Sequence, residues 1–136
     1  MDFILANYAN PDVIAHTGNY NAAIEAVKVI DEAIGKITQT ILSHENTTLI
    51  VTADHGNLEQ ILNPLSGLPE TQHNTSPVPI YVVASELKKE RNQPVSKTEG
   101  FNPIGILADI APTILELMDI PKPAEMTGES LLGKLN

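Results

Sequence analysis

The clearest pattern in the chain is a series of apolar residues that recur every three or four positions between residues 20 and 43. Charged side chains such as Glu25, Lys28 and Asp31 lie outside this series. Such a period places the apolar side chains on one face of an α-helix and the charged ones on the other. The sequence therefore predicts an amphipathic helix, whose apolar stripe is formed by Ile24, Val27, Ile30, Ile34, Ile37 and Ile41.

Short apolar segments at residues 3–8, 47–52 and 79–84 have the composition of β-strands. A strand, a long helix and a second strand in succession form the crossover unit of a parallel sheet. A further apolar period predicts a helix over residues 107–118, in which Pro112 is tolerated only near the amino-terminal end. We therefore expect an α/β fold with a mostly parallel sheet.

A short helix is predicted directly after the first strand. Asn10 is a candidate cap, Pro11 suits the first helical position, and Gly18 lies where a helix would have ended. Asp12 and His16 are four residues apart, a spacing that stacks side chains on one helical face. Both side chains can therefore reach a common ligand.

The remaining segments are rich in polar and turn-forming residues. Residues 57–77 contain several pairs of turn residues with proline or glycine and predict a long loop. Residues 86–100 predict a solvated loop or hairpin, or alternatively an edge that faces a partner. The tail at residues 126–135 predicts one more helical turn, with Thr127 or Ser130 as its cap.

Ligand-type side chains follow the predicted strands. Asp12 and His16 come after the first strand, Asp54 and His55 come after the second, and His73 lies in the long loop before the third. Because α/β folds bind ligands at the carboxyl ends of their strands, we expect these side chains at one edge of the sheet. Imidazole and carboxylate together suit Mn²⁺, Zn²⁺ or Fe²⁺. Adjacent side chains after a strand point in different directions, which favours a two-metal site.

Each part of this cluster also has an ordinary structural explanation. Asp12 and His16 are favoured at opposite ends of a short helix because of the helix dipole. Asp54 and His55 can begin a simple turn after a strand, and His73 in a polar loop can be exposed without any role. The combination favours a metal site, since three separate segments carry ligand-type residues toward the same predicted edge.

Composition and charge limit the partners of the chain. Its 136 residues are enough for one domain, and 8 basic against 17 acidic residues give a net charge of −9. This charge argues against nucleic acid and anionic membrane surfaces, whereas bound divalent ions would still permit phosphate chemistry. The chain has no cysteine, which excludes a thiolate zinc site and disulfides. We expect a cytoplasmic protein, because no segment resembles a signal peptide or a membrane span.

The motifs closely resemble the carboxyl-terminal part of the cofactor-independent phosphoglycerate mutases, which belong to the alkaline phosphatase superfamily. The resemblance rests on four segments in this order: NPDVIAHTG, VTADHGN, HNTSPVP and LADIAPTILELM followed by MTGESL. It implies a three-layer α/β/α, alkaline-phosphatase-like fold with a mostly parallel sheet, present as a partial domain. It also implies that residues 1–136 are a carboxyl-terminal fragment, in which Met1 is an added start.

The resemblance further implies a glycolytic enzyme that interconverts 3-phosphoglycerate and 2-phosphoglycerate through a phosphoserine intermediate. Two Mn²⁺ ions serve that reaction, with Zn²⁺, Fe²⁺ or Co²⁺ as possible substitutes. Asp12, His16 and His73 match the ligands of one ion, and Asp54 and His55 match ligands of the other. The nucleophilic serine and the inserted substrate domain of the family have no counterpart here, so we expect this fragment to be inactive.

Two other functions remain open at this point. One is a different member of the alkaline phosphatase superfamily, such as a phosphopentomutase or a phosphodiesterase, because the DHG element is shared among them. The other is a stand-alone metal-binding module. A missing amino-terminal part would also leave sheet edges and apolar faces uncovered, which predicts self-association.

Overall fold

The computed structural model describes residues 2–63, 65–87 and 102–135. Residue contacts divide the chain into two units, Met1–Pro94 and Val95–Asn136. Single 3₁₀ turns at Leu58–Gln60, Ser85–Leu87, Leu107–Asp109 and Leu132–Lys134 accompany the regular elements. The helices and strands are α1 (Asn10–Ala15), α2 (Tyr20–Leu42), β1 (Thr48–Thr52), β2 (Ile80–Ala84) and α3 (Ile110–Leu117).

Helix α2 confirms the prediction made from the apolar period, with bounds within one residue of those expected. Asn19 caps it, because its side-chain oxygen accepts a hydrogen bond from the backbone N–H of Ala22 at 3.1 Å. The helix contacts α1 and both strands. Its apolar stripe is half-buried from Ile30 onward, whereas Ile24 and Val27 at the start are exposed.

Strands β1 and β2 confirm two of the three predicted strands, but the prediction of a strand at residues 3–8 is wrong. That segment is irregular, and the exposed fractions of Phe3 and Leu5 are 52% and 85%. An apolar run forms a strand only when a neighbouring strand accepts its backbone hydrogen bonds. Among the described residues, no strand pairs with this segment.

The two strands pair antiparallel, with Ile50 opposite Val82 at the centre of the ladder. The predicted parallel crossover is therefore absent from the part of the chain that the structure describes. Apolar composition specifies a strand but neither its partner nor its direction, and the first strand of the expected crossover did not form. The helices and the small sheet still agree with the α/β class, as a partial domain.

The predicted long loop at residues 57–77 is folded back on itself. An isolated bridge joins Gly56 to Asn74 near the ends of the loop, and another joins Leu62 to Pro69 near its tip. These contacts bring the end of the loop beside the residues that follow β1. Loop residues that are distant in sequence thereby enter the neighbourhood of Asp54 and His55.

The second unit is organised around buried polar side chains at the start of α3. Both carboxylate oxygens of Asp109 accept backbone hydrogen bonds, from Ile106 and Glu129, each at 2.9 Å. The hydroxyl of Thr113 is fully buried, donates to the carbonyl of Asp109 at 2.6 Å and accepts from the N–H of Leu131 at 2.9 Å. The MTGESL segment is thus attached to the amino-terminal end of α3, where Pro112 is tolerated as predicted.

The predicted turn in the tail is present as the 3₁₀ turn Leu132–Lys134, but its amino-terminal cap is Leu131, so the prediction of Thr127 or Ser130 as the cap is wrong. The Ser130 hydroxyl nevertheless accepts from the N–H of Leu132 at 3.2 Å. The predicted loop or hairpin at residues 86–100 lies mostly outside the described residues. Within residues 2–63, 65–87 and 102–135, no helix is both long and apolar enough to cross a membrane.

Candidate metal centre

Asp12 lies in α1 and His16 caps its carboxyl end, and the two side chains face each other, as their spacing predicts. Its amino-terminal cap is Ala9 and makes no side-chain hydrogen bond, so the prediction that Asn10 caps the helix is wrong. Proline lies in the first turn, where its missing N–H costs no helical hydrogen bond. Gly18 follows the helix with a φ of +66°, which lets the chain turn directly into α2.

Asp12, His16 and His73 form a cluster in which one ligand atom from each residue lies within 4.8 Å of the other two. The Nε2 atoms of His16 and His73 are 3.0 Å apart. The Oδ1 atom of Asp12 is 3.0 Å from Nε2 of His73 and 3.4 Å from Nε2 of His16. The structure therefore brings together residues that are as many as 61 positions apart in sequence.

The spacing of these three atoms is compatible with a divalent transition-metal ion. Bonds of about 2.1 Å set adjacent ligand atoms roughly 3.0 to 3.4 Å apart, depending on whether the geometry is octahedral or tetrahedral. All three distances in the cluster fall in that interval. The mixed nitrogen and oxygen donors suit Mn²⁺, Co²⁺ or Zn²⁺ better than Ca²⁺.

His16 is held in the tautomer that a metal ligand needs. Its Nδ1 atom lies 2.6 Å from the carbonyl oxygen of Thr71, which can only accept a hydrogen bond. The Nδ1 atom must therefore carry a proton, and in the neutral ring the Nε2 lone pair is directed into the cluster. A backbone carbonyl on the second ring nitrogen is the usual support of a histidine that binds metal through the first.

The carboxylate of Asp12 is held by Asn57, whose Nδ2 donates to Oδ1 at 2.8 Å. This hydrogen bond is the largest cause of a lowered pKa of Asp12, and the positive charge available on His16, His73 and His55 lowers that pKa further. Desolvation acts in the opposite direction but is outweighed. Asp12 is therefore an anion at neutral pH, as a metal ligand must be.

His73 reaches the cluster because the long loop is attached to the residues after β1. The N–H of Asn74 donates to the carbonyl of Gly56 at 2.9 Å, and this contact fixes the neighbouring His73. Gly56 is buried, and a side chain at this position would collide with the Oδ1 atom of Asn74. The absence of a side chain at residue 56 thus permits the close approach of the two segments.

His55 lies against the cluster without being part of it. Its ring stacks on that of His73 with a centroid separation of 3.6 Å, and its Nε2 is 3.5 Å from Oδ1 of Asp54. The side chain of Asp54 is 90% exposed. The Nδ1 atom of His55 is buried and has no hydrogen-bond partner among the described residues. Asp54 and His55 therefore lie beside the first cluster, with His55 packed against it and Asp54 exposed.

Two supporting groups were not predicted from the sequence. Asn57 lies directly after the Asp-His-Gly segment, but an asparagine in a turn has no distinguishing pattern. The Thr71 carbonyl belongs to the backbone, so no residue type indicates its role. Only the folded loop reveals either contact.

Comparisons with known proteins identify the family of this chain. A family model described as the Metalloenzyme superfamily matches residues 1–122. A 2,3-bisphosphoglycerate-independent phosphoglycerate mutase from Clostridium botulinum is 46% identical over 131 residues, which cover 96% of this chain and 23% of the relative. A mutase of the same name from Rhodopseudomonas palustris is 45% identical over 132 residues, covering 97% of this chain and 23% of the relative.

A solved structure of a phosphoglycerate mutase has a similar fold. The phosphoglycerate mutase of Leishmania mexicana, crystallised at low cobalt concentration, superposes with a TM-score of 0.68 and 28% sequence identity. The match covers 90% of this chain and 23% of that protein, so the chain spans less than a quarter of its relatives' length. The chain therefore belongs to the Metalloenzyme superfamily, and the resemblance to cofactor-independent phosphoglycerate mutases inferred from its motifs is confirmed.

Proposed function

We propose that this chain is the metal-binding, carboxyl-terminal part of a phosphoglycerate mutase, and that Asp12, His16 and His73 hold one divalent ion. The observation that carries the proposal is the convergence of these three ligand atoms at distances of 3.0 to 3.4 Å. The hydrogen bond from His16 to the Thr71 carbonyl supports it, because that contact has no need of a metal yet selects the metal-binding tautomer.

Asp54 and His55 are proposed to supply part of the site for a second ion. In the complete enzyme, paired divalent ions would stabilise the attacking and leaving oxygens during transfer of the phosphoryl group between the 2- and 3-positions of phosphoglycerate, by way of a phosphoserine. Mn²⁺ is the proposed metal, and cytoplasmic glycolysis is the proposed setting. Both follow from the family resemblance.

This chain alone is proposed to be inactive. The serine nucleophile of the family has no counterpart at any position matched by the motifs, and a covalent route requires that nucleophile to be placed beside the metal. Turnover of 3-phosphoglycerate in Mn²⁺ should equal that of a His55→Ala variant. A rate for the unsubstituted chain clearly above that of the variant would overturn the proposal of inactivity.

Metal binding is tested by calorimetric titration of the chelator-treated chain with Mn²⁺ and Co²⁺. We expect one ion per chain at the tighter site and a loss of at least about tenfold in affinity for His16→Ala. The matched control is His44→Ala, since His44 lies just after α2 and its Nδ1 contacts the Thr40 carbonyl at 2.8 Å, outside the cluster.

The outcomes of this titration are distinct. An equal affinity in the His16 and His44 variants would refute the assignment of the ligands, even if the chain binds ions. No binding by the unsubstituted chain would refute the proposed function itself. A rise in melting temperature with excess ion, present in the control and lost in His16→Ala, should accompany binding because the ion binds only the folded chain.

A stand-alone metal-binding module is the second candidate, because a complete three-ligand cluster lies within one chain. It predicts that the chain binds its ion tightly and gains nothing from the remainder of a mutase. A phosphopentomutase or phosphodiesterase is less well supported, since the mutase relatives align over 96% or more of the chain. Adding the amino-terminal part of a related mutase and measuring recovery of activity separates the module from the enzyme part.

We also propose that the chain self-associates with a second copy. Ile4 and Leu5 are 74% and 85% exposed, and Tyr81 on β2 is 59% exposed. Within the described residues the sheet has only the strands β1 and β2, so each strand leaves one edge unpaired. Sedimentation over a range of concentrations should give a rising average mass, and a constant monomer mass would refute this proposal.

A further inference from the structure

Asn57 stands out among the residues around the cluster because it is buried and its side chain makes a single hydrogen bond within the described residues. It is 6% exposed, and its Nδ2 donates to Oδ1 of Asp12 at 2.8 Å. Its Oδ1 atom has no partner among the described residues. An amide buried for purely structural reasons would normally have both ends satisfied, because an unpaired buried polar atom costs about 1 to 3 kcal/mol.

The orientation of this amide is fixed by its partner. A carboxylate only accepts hydrogen bonds, so the nitrogen of Asn57 must face Asp12 and the oxygen must face away. Reversing the amide would place two acceptors 2.8 Å apart. The side-chain nitrogen of Asn57 therefore donates to the Asp12 carboxylate while its oxygen has no partner among the described residues, which indicates that this side chain serves Asp12.

The backbone of Asn57 is held as well. Its N–H donates to Oε2 of Glu59 at 2.9 Å, and Nε2 of nearby Gln60 donates to Oγ of Ser76 at 3.0 Å. These contacts connect Asn57 to the loop that carries His73. The same short segment thus restrains the carboxylate of Asp12 on one side and the loop of His73 on the other.

We propose that Asn57 is a positioning residue that holds the Asp12 carboxylate facing His16 and His73 before an ion binds. This inference rests on the proposed metal-binding function. Without the donor at residue 57, the Asp12 side chain is free to adopt other rotamers, and binding must then include the cost of ordering it. Partners that orient a metal ligand typically change affinity by about 10- to 100-fold.

The test is a double-mutant cycle, with Asn57→Ala measured alone and in the Asp12→Ala background. Zn²⁺ is the probe, because its affinity for paired imidazoles keeps binding measurable when the carboxylate is absent. We expect Asn57→Ala to weaken Zn²⁺ binding by about tenfold in the unsubstituted background. In the Asp12→Ala background it should change affinity by less than about twofold, because the group it positions has been removed.

A general structural role would give a different result. Equal losses in both backgrounds, or no loss in either, would refute the positioning role while leaving the proposed metal site intact. Failure of the unsubstituted chain to bind Zn²⁺ would overturn the proposed function and this inference with it. Thermal unfolding of the metal-free variants provides the folding control, and a folded Asn57→Ala chain with unchanged Zn²⁺ affinity would also refute the inference.

Discussion

Substituting Gly56 by alanine tests whether the contact between the segment after β1 and the loop that carries His73 brings the three residues of the cluster together. The added Cβ atom would collide with Oδ1 of Asn74, lie 2.6 Å from Oε1 of Glu59 and lie 3.0 Å from the Cβ atom of Ser76. The Asn74 and Ser76 atoms belong to the loop that carries His73, and the Glu59 carboxylate accepts the hydrogen bond from the N–H of Asn57. The substitution therefore acts on the cluster without removing any ligand.

The expected cost follows from the hydrogen bonds that must break. To make room, Asn74 Oδ1 must leave the N–H of Ser76, a neutral bond of 2.8 Å contributing about 1 kcal/mol. The Glu59 carboxylate must leave the N–H of Asn57, a charge-assisted bond of 2.9 Å contributing about 1.5 kcal/mol because it is partly exposed. Gly56→Ala should thus lower the free energy of unfolding by about 2 to 3 kcal/mol, which lies within the usual range for overpacking.

Gly35→Ala is the matched control. Gly35 lies within α2, and apart from its chain neighbours and the nearby helix backbone no atom of the described residues lies within 4 Å of the position its Cβ would occupy. Alanine is favoured over glycine inside a helix, so this variant should be more stable by about 0.5 to 1 kcal/mol. The two glycine-to-alanine changes are chemically identical and should shift urea unfolding, followed by circular dichroism, in opposite directions.

The metal affinity decides the interpretation. Because Asn74 follows His73 directly, displacement of this loop should move the His73 ring and weaken Co²⁺ binding by about tenfold or more in calorimetry. Gly35→Ala should leave that affinity unchanged. Gly56→Ala with normal stability and normal Co²⁺ affinity would refute the prediction that a Cβ atom at residue 56 displaces the loop that carries His73.

Three further predictions concern the elements that support the site and the second unit. Thr113→Val removes the buried hydroxyl and leaves the N–H of Leu131 without its acceptor. It should therefore lower the free energy of unfolding, measured by urea titration, by about 1 to 3 kcal/mol. Thr113→Ser is the control, because it should retain the hydrogen bond. Asn19→Ala removes the cap on the N–H of Ala22 and should cost about 1 kcal/mol, measured by the melting temperature, with loss of helical circular dichroism. Backbone donors lower the pKa of Asp109 below its ordinary value of 3.8, so the stability it contributes is fully present above that value and is lost as the pH falls through the lowered pKa. Asp109→Asn should therefore flatten the acid limb of stability against pH, and an unchanged acid limb would contradict this reasoning.

The sequence was sufficient for elements whose periodicity is long or whose chemistry is local. Helix α2 was predicted from six apolar positions and agrees to within one residue. Asp12 and His16 were placed on one face from their spacing alone, and their facing atoms are 3.4 Å apart. Both predictions depend only on helical geometry, which a single continuous segment determines by itself.

Strand partners could not be predicted in the same way. Residues 3–8 have the composition of a strand, but a strand needs a neighbour, and none is present among the described residues. The antiparallel pairing of β1 with β2 depends on how residues 53–79 fold back between them. Backbone hydrogen bonds, such as that from the N–H of Asn74 to the carbonyl of Gly56, determine this path of the chain. Neither residue type predicts such a bond from the sequence.

The contrast between His16 and His55 explains why residue types alone cannot rank the ligands of a site. Both histidines follow an aspartate at a spacing that suggests metal binding, and the sequence treats them alike. In the folded chain, Nδ1 of His16 donates to the Thr71 carbonyl at 2.6 Å, whereas Nδ1 of His55 is buried without a partner among the described residues. A ring whose Nδ1 proton is held by a backbone carbonyl presents its Nε2 lone pair to a metal, whereas His55 has no such support among the described residues. Support from neighbouring backbone, which arises only when the loop closes, therefore favours the Asp12 cluster over the Asp54–His55 pair.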